Sequence, residues 1–127
     1  MDEATLNPAA LRAVRNMMKG RFESYIRMFV RETRRQLDLI RQAVSGGGNV
    51  EDIAGASGAL RQACSQVGAT RLSYVAGIVQ DMALEVRSRG GDLGGIRDQA
   101  DRLETLFTEL EAEIQRYLKT DWAQKAS

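Results

Sequence analysis

VEDIAGASGALRQACSQVGATRL, residues 50–72, contains one amphipathic helix, the turn that ends it and the start of the next helix. Asn49, just before it, is a good N-cap residue, and Glu51 and Asp52 place negative charge at the positive end of the helix dipole. Ile53, Ala56, Leu60, Ala63, Cys64 and Val67 recur at steps of three and four and form an apolar stripe. Gly68 then ends the helix. The other side carries Ala54, Gly55, Gly58, Arg61, Gln62 and Ser65, a solvent-facing strip made largely of very small residues. A glycine inside a helix costs about 1 kcal/mol relative to alanine, and a purely structural surface has no need of two. Small side chains let a second helix approach closely, so the strip is read as a docking surface flanked by Arg61. A neighbouring helix of the same bundle would fit it equally well.

Working outward, the same periodicity recurs on both sides. Asn7-Pro8 is an N-cap followed by a proline at the first helical position, and it opens a short helix to Gly20 with Leu11, Val14 and Met18 on one face. That is enough for a lid but not for a free-standing helix. From Arg21 to about Val44, Phe22, Ile26, Phe29, Thr33, Leu37 and Ile40 step around a long helix that stops at Gly46-Gly47-Gly48. After the central helix, Leu72, Val75, Ala76, Val79, Met82 and Val86 mark another from Thr70 to Ser88, closed by Gly90-Gly91. Asp92 caps the last, which runs through Ile96, Ala100, Leu103, Phe107, Leu110 and Ile114 to Leu118. Four amphipathic helices joined by short turns pack antiparallel to their neighbours. The spacing therefore predicts an all-α, up-down-up-down four-helix bundle with a short N-terminal lid helix. A single domain covers residues 1–127, with its core at about 8–118 and a frayed tail at 119–127 that includes Trp122.

Composition agrees and narrows the chemistry. The chain has 127 residues, of which 43% are hydrophobic but only 6% aromatic, with one proline, one cysteine and no histidine. A net charge of +1 removes the strong basic field of a dedicated nucleic-acid binder. Charge is nevertheless polarised: residues 1–46 hold nine Lys/Arg against five acids, and the remainder nine against twelve. Such a bundle can steer an acidic partner toward its first helices, although arginine-rich exteriors are commonly just solvated. Without histidine, the Glu-x-x-His pairs of bundle di-metal sites cannot form, and no metal or cofactor is expected. Cys64 lacks a histidine base and points into the apolar stripe, which makes it a core residue and not a nucleophile. Gly46-Gly47-Gly48 lacks the Lys-Ser/Thr ending of a phosphate loop. Glu104, Glu109, Glu111 and Glu113 are read as solvated charge. Tyr74, Ile78 and Leu84 lie off the main stripe of their helix; burial of part of them by bundle curvature or the lid helix is the expectation, and an exposed apolar patch beside the glycine strip is the alternative. The start lacks the pattern of a secretory signal and no apolar run approaches about 20 residues, so a cytoplasmic, non-membrane protein is expected.

Ser57-Gly58-Ala59-Leu60-Arg61-Gln62, followed by small residues, Gly68-Ala69 and Arg71-Leu72, resembles the signature helix and turn of histidine-containing phosphotransfer (HPt) domains. That family's pattern is Ala-His-x-Leu-Lys-Gly, then small residues, Gly-Ala and Arg-Leu. Leu60 matches its leucine, Arg61 stands for its lysine and Gly58 falls at the phosphorylated histidine. Gln62 departs from the usual glycine and puts a longer side chain on the receiving face. The order of elements over residues 8–118 is similar too. The resemblance implies a bacterial pseudo-phosphotransfer module with no enzymatic activity, one that binds a response-regulator receiver domain or a histidine kinase and regulates a phosphorelay by occupancy. Ala54, Gly55, Gly58, Arg61, Gln62 and Ser65 would be its partner-binding residues. A histidine replaced by glycine through engineering would leave the same sequence. The alternative is a structural or oligomerising bundle subunit in which the strip packs on a second copy as a homodimer. Binding of nucleic acid or an anionic surface by the arginines of the first two helices ranks third.

Overall fold

The computed structural model describes residues 6–47 and 49–126; the side chains of residues 120–126, Trp122 among them, lie outside the described residues. Five helices follow in order: α1 (Pro8–Met18), α2 (Phe22–Gln42), α3 (Val50–Val67), α4 (Thr70–Arg89) and α5 (Gly94–Ala126). Helices α2 to α5 form an antiparallel ring in which each packs on the next and α5 closes back on α2. α1 lies across the end where α3 turns into α4. This is the up-down-up-down bundle with a lid that the periodicity predicts. Among the described residues no helix is long and apolar enough to cross a membrane.

The helix boundaries follow local chemistry. Asn7 Oδ1 accepts from the Ala9 and Ala10 amides at 3.0 and 3.4 Å, with Pro8 as the first helical residue. Asn49 and Asp52 form a reciprocal capping box at the start of α3. Asp92 Oδ1 accepts from the Gly94 amide at 2.8 Å, as the sequence implies. α1 ends two residues before Gly20, in a 3-10 turn over Lys19–Arg21. α2 unwinds through a wide π-type turn over Ala43–Gly47, and Gly46 there takes φ of +96°. α5 keeps a helical backbone through Ala126, beyond the expected end of the core near Leu118.

The core is the sum of the stripes. Phe22, Ile26, Leu37, Ile40, Ile53, Leu60, Leu72, Ile96, Leu103, Phe107 and Leu110 are all essentially sealed from solvent. Leu11 and Val14 of α1 join them, and Phe22 meets the ring of Tyr117 edge-on at 6.0 Å. Cys64 is wholly buried, as the stripe predicts, and burial pushes its thiol from 9.0 up to about 12.

One side chain corrects the sequence reading. Glu104 is not a solvated carboxylate but a half-buried one, held in a two-pronged pair by Arg34 at 2.8 and 3.1 Å. The Arg34 guanidinium also lies 4.8 Å from the centre of the Phe107 ring, and Arg41 approaches Glu104 and Asp101 from the next turn. The Glu104 bond holds the guanidinium above its ordinary pKa. These contacts tie α2 to α5 on the side of the bundle away from α3 and α4.

Two outcomes are expected. Gly68 has φ of +82°, and a Cβ there would sit 2.7 Å from the Ala10 Cβ and 3.0 Å from the Asn7 carbonyl oxygen. Gly68→Ala should therefore lower the unfolding free energy by about 2 kcal/mol or more in a urea titration. For Cys64 the sign follows from the raised pKa. Below pH 9 both folded and unfolded chains keep the thiol proton; between 9 and about 12 only the unfolded chain releases it. Stability should fall across that window, and Cys64→Ala should remove this component of the fall.

Candidate functional site

Two residues, Gly68 and Ala69, separate α3 from α4, and the register of the pair follows from so short a turn. Residues equidistant from Ala69 face each other: Gly58 meets Gln80, Arg61 meets Gly77, and Ser65 lies opposite Ser73. Of all the helix pairs, α3 and α4 share the most extensive packing. Small residues on both sides make this possible. A Cβ on Gly77 would touch Cδ of Arg61 at 3.3 Å, so the arginine stem lies along α4 where no side chain stands. The Ser73 hydroxyl crosses the seam and donates to the Arg61 carbonyl oxygen at 3.0 Å.

On its outer side the seam opens into a groove of about 630 Å³. α3 lines it with Gly58, Arg61, Gln62, Ser65 and Gln66, and α4 with Ser73 and Gln80. Four of the six residues expected on the docking strip, Gly58, Arg61, Gln62 and Ser65, therefore come together in one concave surface. Gly55 is exposed next to it, with nothing within 4 Å of where its Cβ would be.

Ala54 does not belong there. It is 9% exposed and forms part of the core. One turn before Gly58, at the edge of the strip, Ala54 turns into the core. Part of the small-residue strip thus serves the packing of the bundle itself, and the rest faces solvent.

The lining is polar and carries no carboxylate. Its one cation is Arg61, whose guanidinium makes no ion pair among the described residues. By contrast Arg27, Arg34, Arg35, Arg41, Arg71, Arg87 and Arg89 each have an acidic partner. At Gly58 the amide of Gln80 fills the space a side chain would occupy, with Nε2 2.7 Å from the site of a Cβ. None of the lining groups is a thiol, a carboxylate or an imidazole, so the groove offers hydrogen-bond donors and one positive charge but no strong nucleophile.

Tyr74 stands beside the groove on α4, and it corrects a second expectation. It is 68% exposed. Leu84 packs partly against the core, whereas Ile78 is half-buried outside it. Tyr74 and Ile78 thus leave apolar surface exposed on α4, outside the groove lining.

Sequence reasoning missed Gln66, Ser73, Gly77 and Gln80. The signal for the last three was present in the two-residue turn, because reflection through Ala69 pairs each with a strip position. Among the described residues no group of three or more cysteine and carboxylate side chains converges as a metal site would require.

A family model described as Hpt domain matches residues 24–117, well over half of the chain and all of the groove. No curated protein and no solved structure matches it.

The two helical glycines of the strip should respond differently to alanine. Gly55→Ala meets open space and should raise the unfolding free energy by about 1 kcal/mol. Gly58→Ala must displace the Gln80 amide, a flexible group, so a smaller gain is expected; parallel denaturant titrations measure both.

Proposed function

The chain belongs to the Hpt domain family, whose members serve phosphotransfer signalling, and from that membership we propose that it is a non-catalytic member acting by occupancy. Its partner is a two-component protein, a response-regulator receiver domain or a histidine kinase. The observation that carries the reading is Gly58. The position that matches the family's histidine has no side chain, and the Gln80 amide lies over it, so no N-phosphoryl intermediate can form there.

What supports docking is the surface that is kept. Arg61 retains the positive charge of the family's lysine, in planar form, and stands free to meet an acidic pocket. Tyr74, exposed on α4 next to Ser73, adds apolar area on the same helix, and tyrosine is among the residue types that most often anchor interfaces. Gln62 extends from the same face, where the family has glycine, and it adjusts which partner fits. A module with these properties regulates by mass action. Holding a receiver or kinase denies it to a competing phosphotransfer domain, which needs only comparable affinity and concentration.

The test is biolayer interferometry of the full chain against purified receiver domains and kinase dimerisation domains from its own organism, with Gly58→Leu as the obstructed variant. A leucine there displaces Gln80 and protrudes into the groove. Saturable binding that weakens about tenfold or more in the variant is the expected result. Absence of binding to every domain would exclude the proposal and favour a subunit of a larger assembly.

A further inference from the structure

The groove contains more information than its location. Its polar side chains are amides, hydroxyls and one guanidinium, and no carboxylate lines it. Arg61, like Arg12, Arg21, Arg31, Arg97 and Arg102, makes no ion pair among the described residues, and it is the one arginine of the groove lining. Arg61 is also held from below: its stem lies over Gly77, and Ser73 is bonded to its backbone carbonyl. Gln80 presents an amide nitrogen 2.7 Å from the position where the missing side chain would begin. Donors from two helices therefore line one groove, with the Gln80 amide directly at Gly58.

We infer that this face distinguishes the phosphorylated from the unphosphorylated receiver, binding the phosphoaspartyl form more tightly and leaving its phosphoryl group in place. The inference rests on the proposed function and names the state of the partner that the same groove selects. A phosphoryl group brings close to two negative charges and several acceptor oxygens where a carboxylate brings one charge. A guanidinium fork with amide and hydroxyl donors suits that geometry, and the absence of lining carboxylates removes the repulsion that would oppose it. No bond is made or broken. Glycine offers no acceptor atom, the glutamine amides are not nucleophiles, and the Ser65 and Ser73 hydroxyls have no carboxylate or imidazole in the lining to take their protons. Tighter binding of the phosphorylated receiver sequesters that form once its own phosphodonor has made it.

The experiment titrates the full chain against a receiver domain that binds it, with and without beryllium fluoride and Mg²⁺, which convert the receiver's aspartate into an acyl-phosphate mimic. About tenfold tighter binding of the fluoroberyllate form is expected. Arg61→Met should abolish the difference between the two states. Arg89→Met, which removes the same charge from an exposed position paired with Glu85 at the far end of α4, should retain it. Equal or weaker binding of the fluoroberyllate form would overturn the inference while leaving the proposed docking intact, and so would loss of the preference in Arg89→Met as much as in Arg61→Met. No binding in either state would overturn both. In a second arm, a receiver labelled with ³²P should keep its label when the chain is added; transfer of label to the chain would also overturn the inference.

Discussion

Gly68 is the residue on which the arrangement turns. Its left-handed backbone ends α3 within one residue, its amide bonds back to Ser65, and its carbonyl oxygen accepts from the Asn7 amide at 2.7 Å. One position thus closes a helix, starts the return helix and receives the lid. A residue with a side chain would collide with α1 at just this point. Because the turn is so short, it leaves α4 almost no freedom of register, and the contacts along the seam follow from it.

The seam explains why small residues occur where they do. Gly58 and Gly77 serve the close approach of two helices, and the same closeness brings Arg61 and Gln80 to one surface. Architecture and docking chemistry are therefore not separate properties of α3. A bulkier residue at Gly77 would push against the arginine stem as well as against the packing. The Arg34–Glu104 pair fastens the opposite side of the ring, with the guanidinium over the buried Phe107 ring.

Much of this was legible in the sequence, for a physical reason. The stripes from Phe22 to Ile40 and from Ile53 to Val67 encode which side of each helix is buried, because the helical period is fixed by backbone geometry. The caps at Asn7, Asn49 and Asp92 are equally local. Ala54, Glu104 and Tyr74 were misjudged because their burial depends on where a second helix lies, which no single-helix period contains. Ala54 sits at the edge of its stripe, where a few degrees of rotation and a close neighbour decide between solvent and core. Gln80 was missed for a related reason: its importance comes from the residue it faces across the seam, which only the two-residue turn reveals. Gly58 was legible from periodicity as part of the small-residue strip, and only the resemblance gave it the histidine's place.

The two-residue turn has a kinetic consequence. Contacts between α3 and α4 join residues close in sequence, so loop closure costs little entropy, and helical hairpins of this kind belong to the fast end of folding. Every residue that lines the groove lies on that hairpin. The groove is thus assembled by the most local tertiary structure in the chain. It can form before α2 and α5 have closed the ring, and it places little demand on the order in which the remaining helices arrive.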